Sequence, residues 1–274
     1  MKFQIPEWLH DTVIANDKVE VVVVGAGGTG SEVLSKLFRL NHLIKQLGGA
    51  GLAVSIYDDD TVSAANIGRQ CFYSFDLGRY KSEVLAERFN QFGDIEMRYT
   101  KNRFLGRYIE NHINTNNGGV ILISCVDNPQ SRIEIGEFLR SKGDSINCLW
   151  IDGGNDRNTG QVVLGSYGEI SDSTPVTRLP SVYDLFETQL KEAVKTFTDT
   201  ESCSHEEAIT KQDFGVNDAI AFQMVQLLWR LLRHGEITNH GAQINLEDTE
   251  VSPLAIDPLM WEMYGYNTNK EVSR

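Results

Sequence analysis

The chain has 274 residues, and 25 Lys and Arg stand against 38 Asp and Glu, a net charge of −13. This charge argues against nucleic acid as the main partner, because duplex binding needs a basic surface that neutralises phosphates. The apolar runs are too short to span a membrane and no signal peptide is recognisable, so the sequence predicts a cytoplasmic protein with reduced thiols and no membrane partner.

The first half of the chain alternates short apolar runs with segments of helical periodicity. Strands are predicted at 19–24, 52–57, 95–100, 120–126 and 148–152, and helices from near Ser31 to 47, at 78–92 and from 129 to 139. This alternation predicts an α/β fold, a Rossmann-like doubly wound and mostly parallel sheet with helices on both faces. Ligands in such sheets bind at the carboxyl ends of the strands, where Gly25, Asp58, Asp127 and Asp152 are expected to meet.

The second half is predicted to be a C-terminal extension of the same domain. Residues 161–167 predict an extra strand of open direction, and 182–197 a helix, whereas 198–204 reads as a mobile loop. The segment 219–232 is apolar almost all round, which predicts a helix that is buried or shared across a subunit interface. After 244–246 no period is clear. The divisions expected are an N-terminal segment 1–18, a core 19–167 and a C-terminal part of the same domain, 168–274.

A glycine-rich loop follows the first buried strand. Gly25, Gly27, Gly28 and Gly30 allow a tight turn close to phosphates, and the helix behind them presents free N–H groups. Read alone, this loop fits a dehydrogenase as well as any other nucleotide-binding protein.

Carboxylates end the next strand. Asp58 lies 28 residues after Gly30, where a ribose-binding carboxylate is expected. Asp58, Asp59 and Asp60 repel one another unless a cation or sugar hydroxyls lie nearby, so Asp58 and Asp60 are candidate nucleotide ligands. The alternative interpretation is a solvated turn.

Phosphate-directed side chains follow at fixed spacing. Asn66, Arg69 and Gln70 lie in the next loop, and Lys81 stands near the start of the following helix. Together they could hold a triphosphate and stabilise charge on leaving pyrophosphate, which makes Arg69 and Lys81 candidate catalytic residues. Each of them alone could equally be a surface ion pair.

Asp127 ends another predicted strand at the same edge. Its carboxylate could hold Mg²⁺ between phosphates, since Mg²⁺ prefers one or two carboxylates together with phosphate oxygens. The alternative is that Asp127 only caps the helix that begins at Pro129. Arg132, five residues further on, could contact a phosphate, but it is interpreted as a surface charge of that helix.

Four cysteines are present and none forms a Cys-x-x-Cys pair, so no zinc site or redox motif is expected. Cys203 lies in a polar segment and could attack an activated acyl group, although a non-catalytic role is favoured. Cys71, Cys125 and Cys148 are interpreted as structural.

These motifs together resemble the ThiF/MoeB/E1-like adenylating superfamily over roughly residues 19–155. The matching positions are Gly25 to Gly30, Asp58, Asp60, Asn66, Arg69, Gln70, Lys81 and the segment 124–128. A later segment from Ser202, with Lys211, Asn217 and His240, resembles the ThiF-family branch of PRTRC systems, which are bacterial gene cassettes often carried on mobile elements.

The resemblance implies an ATP- and Mg²⁺-dependent homodimeric enzyme that adenylates the C-terminal glycine of a small ubiquitin-like or sulfur-carrier-type protein and releases pyrophosphate. It assigns ribose to Asp58, phosphates to Asn66, Arg69, Gln70 and Lys81, and Mg²⁺ to Asp127. Residues 1–18 contain no arginine, whereas relatives carry an N-terminal arginine that reaches the partner subunit. Two other functions stay open: a nucleotide-binding scaffold without turnover, and an NAD-dependent oxidoreductase.

Overall fold

A computed structural model describes residues 1–113, 118–168, 176, 178–197 and 213–266. The strands are β1 (Phe3–Gln4), β2 (Val19–Val24), β3 (Leu52–Tyr57), β4 (Glu96–Thr100), β5 (Gly119–Ser124), β6 (Asn147–Asn155), β7 (Thr159–Tyr167), β8 (Glu236–Ile237), β9 (Asn239–Asn245) and β10 (Glu250–Ala255). The helices are α1 (Glu7–Ile14), α2 (Gly28–Gln46), α3 (Lys81–Phe92), α4 (Pro129–Lys142), α5 (Val182–Thr196), α6 (Val216–His234) and α7 (Pro258–Met263).

Eight strands form one sheet in the order β10-β9-β7-β6-β5-β2-β3-β4. Strands β6, β5, β2, β3 and β4 are parallel, and β7, β9 and β10 continue the sheet in antiparallel pairs. The predicted Rossmann-like α/β fold is therefore confirmed, and the strand of open direction, β7, is antiparallel to β6.

Helices cover the parallel strands because the strands are apolar on both faces. All six residues of β3 and of β5 are buried. Helix α2 packs against α3 and α6, whereas α4 packs against α5 and a short 3-10 helix at Gly106–His112. The apolar stretch 219–232 belongs to α6, which rests on β6 and β7 through residues such as Ile220 and Met224.

The order of the strands creates a crevice at the carboxyl edge. The chain leaves β2 to form β3 on one side and later returns to form β5 on the other side of β2. Ligands in open α/β sheets bind where the strand order reverses in this way. The loop that follows β2 therefore occupies the position where a nucleotide site is expected.

The C-terminal tail is more regular than its sequence indicates. Residues 250–255 form edge strand β10, which pairs with β9, and α7 begins after Asp257, whose side chain accepts a hydrogen bond from the Leu259 N–H at 3.0 Å. The sequence shows no clear period here because pairing with β9, rather than local alternation, specifies this strand. Pro253 suits an edge strand, where its missing N–H leaves no ladder bond unmade.

None of the described helices has both the length and the apolarity that crossing a membrane requires.

Candidate active site

The glycine loop between β2 and α2 is folded tightly against the end of β5. Gly25 has a φ of +88°, and a Cβ there would lie 2.8 Å from the Cys125 carbonyl oxygen. A Cβ on Gly30 would overlap the Gly25 carbonyl oxygen. The loop can therefore close only if both positions lack a side chain.

Helix α2 begins at Gly28, three residues earlier than expected, and no side chain caps its N-terminus. Its first N–H groups and the positive end of its dipole point toward the crevice, an arrangement suited to anions. Around Gly27 the space is open: a Cβ there would meet only the Gln70 Nε2 atom at 4.0 Å.

Helix α6, from the second half of the chain, supports the glycine loop. Asn217, near its start, accepts a hydrogen bond from the Thr29 hydroxyl at 2.9 Å, and a Cβ on Gly28 would lie 2.5 Å from the Asn217 Nδ2 atom. Close packing against Asn217 thus explains why residue 28 is a glycine. Sequence reasoning placed Asn217 in a family resemblance but gave it no role at the loop.

Asp58 reaches from the end of β3 to the glycine loop. Its carboxylate accepts hydrogen bonds from the Ala26 N–H at 2.6 Å and the Asp60 N–H at 2.9 Å. Desolvation by burial raises the Asp58 pKa to about 6, although the nearby Lys81 cation opposes that rise. The interpretation of Asp58 as part of a solvated turn is wrong.

Replacing Asp58 with Asn is expected to remove a pH dependence from the stability of the fold. Because the folded-state pKa of about 6 exceeds the ordinary 3.8, the folded protein binds a proton more tightly than the unfolded chain. The stability that this group contributes is therefore present at low pH and lost as the pH rises through about 6. At 1.36 kcal/mol per pH unit, the effect of Asp58→Asn on the free energy of unfolding should be about 2 kcal/mol more favourable at pH 7.5 than at pH 4.5. Denaturant unfolding at pH 4.5 and 7.5 measures this, and an equal effect at both values would contradict it.

Lys81 is the first residue of α3, and its ammonium lies near the carboxylates of Asp58 and Asp60. Its ammonium pairs with the Asp60 carboxylate at 2.8 Å, and its backbone N–H donates to the Asp60 carbonyl oxygen at 3.0 Å. The Lys81 side chain is only 9% exposed, whereas that of Asp60 is 60% exposed. The ammonium is consequently fixed beside Asp58 and Asp60 at the end of β3.

The three remaining candidates, Asn66, Arg69 and Gln70, lie in the loop after β3 and differ in their hydrogen bonding. Asn66 is buried, and its Oδ1 atom accepts from the Ser63 N–H at 2.9 Å and the Ser63 hydroxyl at 3.1 Å, which closes a short 3-10 helix. Burial lowers the pKa of the Arg69 guanidinium. The Gln70 Oε1 atom is buried without a hydrogen-bond partner among the described residues. Because the Asn66 Oδ1 atom accepts from Ser63, the Asn66 amide nitrogen is the atom left to contact a phosphate, and that contact stays a prediction. Gln70 lies beside the glycine loop.

Asp127, at the end of β5, is exposed. Asn128 caps α4 instead, since its side chain accepts from the Ser131 N–H at 2.8 Å, and Pro129 occupies the first turn. The interpretation of Asp127 as the helix cap is therefore wrong. No described residue hydrogen-bonds to the Asp127 carboxylate, which suits it to a ligand.

A cavity of about 750 Å³ begins beside Asp127 and extends along the antiparallel part of the sheet. One wall is apolar and comes from α5 through Val182, Phe186, Leu190 and Ala193. The opposite side is polar and includes Gln161, Gln243 and Asn245 on β7 and β9.

Arg132 is buried, so its interpretation as a surface charge was wrong. Its Nε atom lies 3.0 Å from both carboxylate oxygens of Asp152, and its Nη2 donates to the Gly153 carbonyl oxygen at 3.0 Å. Asp152 is 1% exposed and also accepts from the Ser124 hydroxyl at 2.5 Å. Only the pairing of β5 with β6 brings these groups together, so sequence spacing gave no signal for them.

The structure describes Cys71, Cys125 and Cys148. Cys203 lies outside the described residues. Burial raises the pKa of the Cys71 thiol to about 11 and raises those of Cys125 and Cys148 further. Such thiols are poor nucleophiles, which supports the structural interpretation of all three.

A model of the ThiF family matches residues 4–252 of this chain. The chain is 40% identical over 68 residues to the adenylyltransferase and sulfurtransferase UBA4 of Yarrowia lipolytica, covering 24% of this chain and 15% of that protein. It is 38% identical over 72 residues to the NEDD8-activating enzyme E1 catalytic subunit of Saccharomyces cerevisiae, covering 26% of this chain and 21% of that protein. The chain thus spans about a fifth or less of each of these relatives.

Solved structures share the fold at low sequence identity. Escherichia coli MccB with ATP superimposes with a TM-score of 0.56 at 15% identity, covering 92% of this chain and 68% of that chain. MccB with AMPCPP and MccA gives a TM-score of 0.57 at 14% identity, covering 92% and 67%. PaaA gives 0.56 at 13% identity, covering 87% of this chain and 64% of that chain.

Proposed function

This chain belongs to the ThiF family, and from that premise we propose that it uses ATP to adenylate the C-terminal glycine carboxylate of a small protein. The substrate proposed is ubiquitin-like or of the sulfur-carrier type, and pyrophosphate is the second product. The names of the two relatives, an adenylyltransferase and a NEDD8-activating subunit, support this activity. MccB, which shares this fold, has been solved with ATP and with AMPCPP and MccA, which supports a nucleotide as the ligand.

The observation that carries the proposal is the convergence of three strand ends. β3, β2 and β5 are neighbours in the sheet, and they end at Asp58, at the glycine loop and at Asp127. This order puts a carboxylate suited to sugar hydroxyls on one side of an anion-binding helix N-terminus and an uncommitted carboxylate on the other. A nucleoside triphosphate has the same sequence of groups.

In the proposed reaction, ionised Asp58 accepts hydrogen bonds from the ribose hydroxyls. The uncapped N-terminus of α2 binds phosphates, and Arg69 and Lys81 stabilise charge on the departing pyrophosphate. The substrate carboxylate attacks the α-phosphorus, which forms the acyl–phosphate bond and breaks the bond to the β-phosphate oxygen. The leaving electron pair stays on pyrophosphate. No general base is needed because the nucleophile is already ionised at neutral pH, so alignment is the main task of the site.

Mg²⁺ fits the donor set at Asp127. The described residues contain no group of three or more His, Cys, Asp or Glu side chains that could hold a metal by themselves. Mg²⁺ commonly binds through one or two carboxylates together with substrate phosphates, and the exposed Asp127 offers one carboxylate of that kind. Bound there with ATP, the ion would neutralise phosphate charge.

The cavity beside Asp127 is the proposed path for the C-terminal tail of the acyl substrate. It begins at the strand end next to the glycine loop and has one apolar and one polar side, as an extended peptide requires. A tail that entered through this cavity would pass Asp127 and bring its terminal carboxylate toward the phosphates of ATP.

Two further assignments stay proposals of narrower scope. A homodimer fits α6, because its Phe222 is 52% exposed whereas Ile220 and Met224 of the same helix are buried. Membership of the PRTRC branch depends largely on a segment outside the described residues. Of its described positions, Asn217 supports the glycine loop, and His240 is buried and accepts a hydrogen bond from the Trp261 indole at 2.9 Å.

Pyrophosphate–ATP exchange tests the proposed function. The purified protein with Mg²⁺ is expected to exchange labelled pyrophosphate into ATP only when a small protein that ends in glycine is added, the candidates being any such proteins that the neighbouring genes encode. Omission of that protein, and its replacement by a version without the last glycine, are the controls. ATP binding without any exchange would instead favour the nucleotide-binding scaffold. Binding of NAD in place of ATP would favour the oxidoreductase.

A further inference from the structure

Arg132 is held rigidly at the edge of the cavity. Its stem rises from α4, and its side chain is only 11% exposed. The guanidinium is fixed by Asp152 through Nε and by the Gly153 carbonyl oxygen through Nη2. Asp152 is itself held by the Ser124 hydroxyl, which in turn accepts from the Trp150 indole at 2.7 Å. The position of the guanidinium is thus determined by a buried network rather than by solvent.

Part of the guanidinium is not used by this network. Arginine carries five N–H donors, and the contacts above use Nε and one Nη2 hydrogen. No described residue accepts from Nη1, and Arg132 lines the cavity together with Asp127 and Gly154. At least one pair of donors is therefore available to a molecule in the cavity.

The charge of this donor is compensated. Asp152 is 1% exposed and lies at 3.0 Å, so the two side chains form a neutral buried pair. A compensated guanidinium attracts triphosphate oxygens less than a free cation, but it keeps its directional donors. The oxygen best matched to it is neutral, as a peptide carbonyl is. Direct pairing with the attacking carboxylate would also make that nucleophile weaker.

We infer that Arg132 binds the main chain of the acyl substrate, by donating from Nη1 to the carbonyl oxygen of the residue before the terminal glycine. This contact would register the tail so that its last residue extends past Asp127 toward the phosphates. The inference rests on the proposed function, because it requires that the cavity holds the tail. It makes Arg132 a substrate-binding residue that recognises backbone and is indifferent to tail side chains.

The test uses fluorescein-labelled octapeptides that end in glycine, including the C-terminus of any glycine-ending small protein that the neighbouring genes encode, and measures anisotropy without ATP. At least one peptide is expected to bind the wild type, and Arg132→Gln is expected to weaken that binding tenfold or more. Arg132→Lys should also weaken it, because a single ammonium nitrogen lacks the planar fork with which the guanidinium bonds Asp152 and Gly153 from Nε and Nη2 and presents Nη1 to the peptide. The matched control is Arg140→Gln, on the same helix and paired with Asp184 and Glu187 away from the cavity, which should change binding less than twofold.

A double-mutant cycle separates contact from mere structural damage. Replacing the last peptide bond by a thioamide weakens its carbonyl as an acceptor, so it should reduce binding to the wild type and leave binding to Arg132→Gln unchanged. Equal losses in both proteins would overturn the inference, as would the absence of binding by every peptide. Circular dichroism of both Arg132 variants checks the fold, and the cycle on Arg132→Lys decides the matter if Arg132→Gln unfolds.

Exchange measured in parallel distinguishes this inference from the proposed function. Arg132-dependent peptide binding without pyrophosphate exchange would uphold the inference and reject adenylation. Exchange with an unchanged KM for the small protein in Arg132→Gln would uphold adenylation and reject the inference. The expected result is a KM for the small protein raised tenfold or more, with the KM for ATP unchanged.

Discussion

Asp127→Ala is expected to reduce pyrophosphate–ATP exchange by about 10²–10³-fold or more, the range seen when one preorganised electrostatic group is removed from a site. Asp127 is exposed and makes no hydrogen bond to a described residue, because Asn128 caps α4 in its place. The fold should therefore tolerate the change, and the midpoint of thermal unfolding without ligands should stay within the error of the wild type. Initial rates of exchange at saturating ATP and Mg²⁺ measure the effect.

Two variants make this result specific to the carboxylate. Asp127→Asn retains the shape and removes the charge, so it should lose nearly as much activity as the alanine variant. Asp144→Ala replaces an exposed carboxylate just beyond the end of α4, and it should leave exchange unchanged. If Asp127→Ala exchanged pyrophosphate at the wild-type rate, Asp127 would have no part in the reaction.

Gly30→Ala is expected to abolish nucleotide binding and to destabilise the fold by about 1–3 kcal/mol, the usual cost of overpacking. The new methyl group would overlap the Gly25 carbonyl oxygen, and the loop cannot shift that oxygen away from residue 30. Gly25 is itself confined, because a Cβ at its position would lie 2.8 Å from the Cys125 carbonyl oxygen. The loop must open to admit the methyl group, and the N-terminus of α2 would then lose its position. Isothermal titration with ATP and denaturant unfolding measure the two effects.

Gly27→Ala is the matched control for this loop. A Cβ on Gly27 would meet only the Gln70 Nε2 atom, at 4.0 Å, so the unliganded protein should keep its stability. Loss of ATP binding in this variant with unchanged stability would show that the open space at Gly27 belongs to the ligand. A Gly30→Ala protein as stable as the wild type would contradict the packing described for the loop.

Much of the core could be predicted because the signals are local. The strand at Val19–Val24 was predicted with its observed bounds, since a continuous β-branched run is typical of a strand buried on both faces. The position of the glycine loop and of the carboxylates at strand ends followed from the same pattern. Their convergence needed only the rule that ligands meet the carboxyl edge of a parallel sheet.

Errors arose where a role depends on a partner distant in sequence. Arg132 was expected at the surface, but Asp152, 20 residues away, buries it. Strand β10 has no clear alternation and exists through its pairing with β9. Asn217 supports the loop across 188 residues of sequence. In each case the decisive contact is made by chain folding, and no local periodicity reports it.

The sequence by itself determined the α/β class, the glycine loop and the set of side chains available at the carboxyl edge, because these depend on local propensity and on spacing along one strand or turn. The tertiary structure alone decided which members of that set stay uncommitted. Asn66 is occupied in its own capping box and Arg132 is fixed by Asp152, while Asp127 is left without a described partner. A side chain can serve a ligand only through the donors or acceptors that its neighbours leave unused, and its neighbours are known only after the chain has folded.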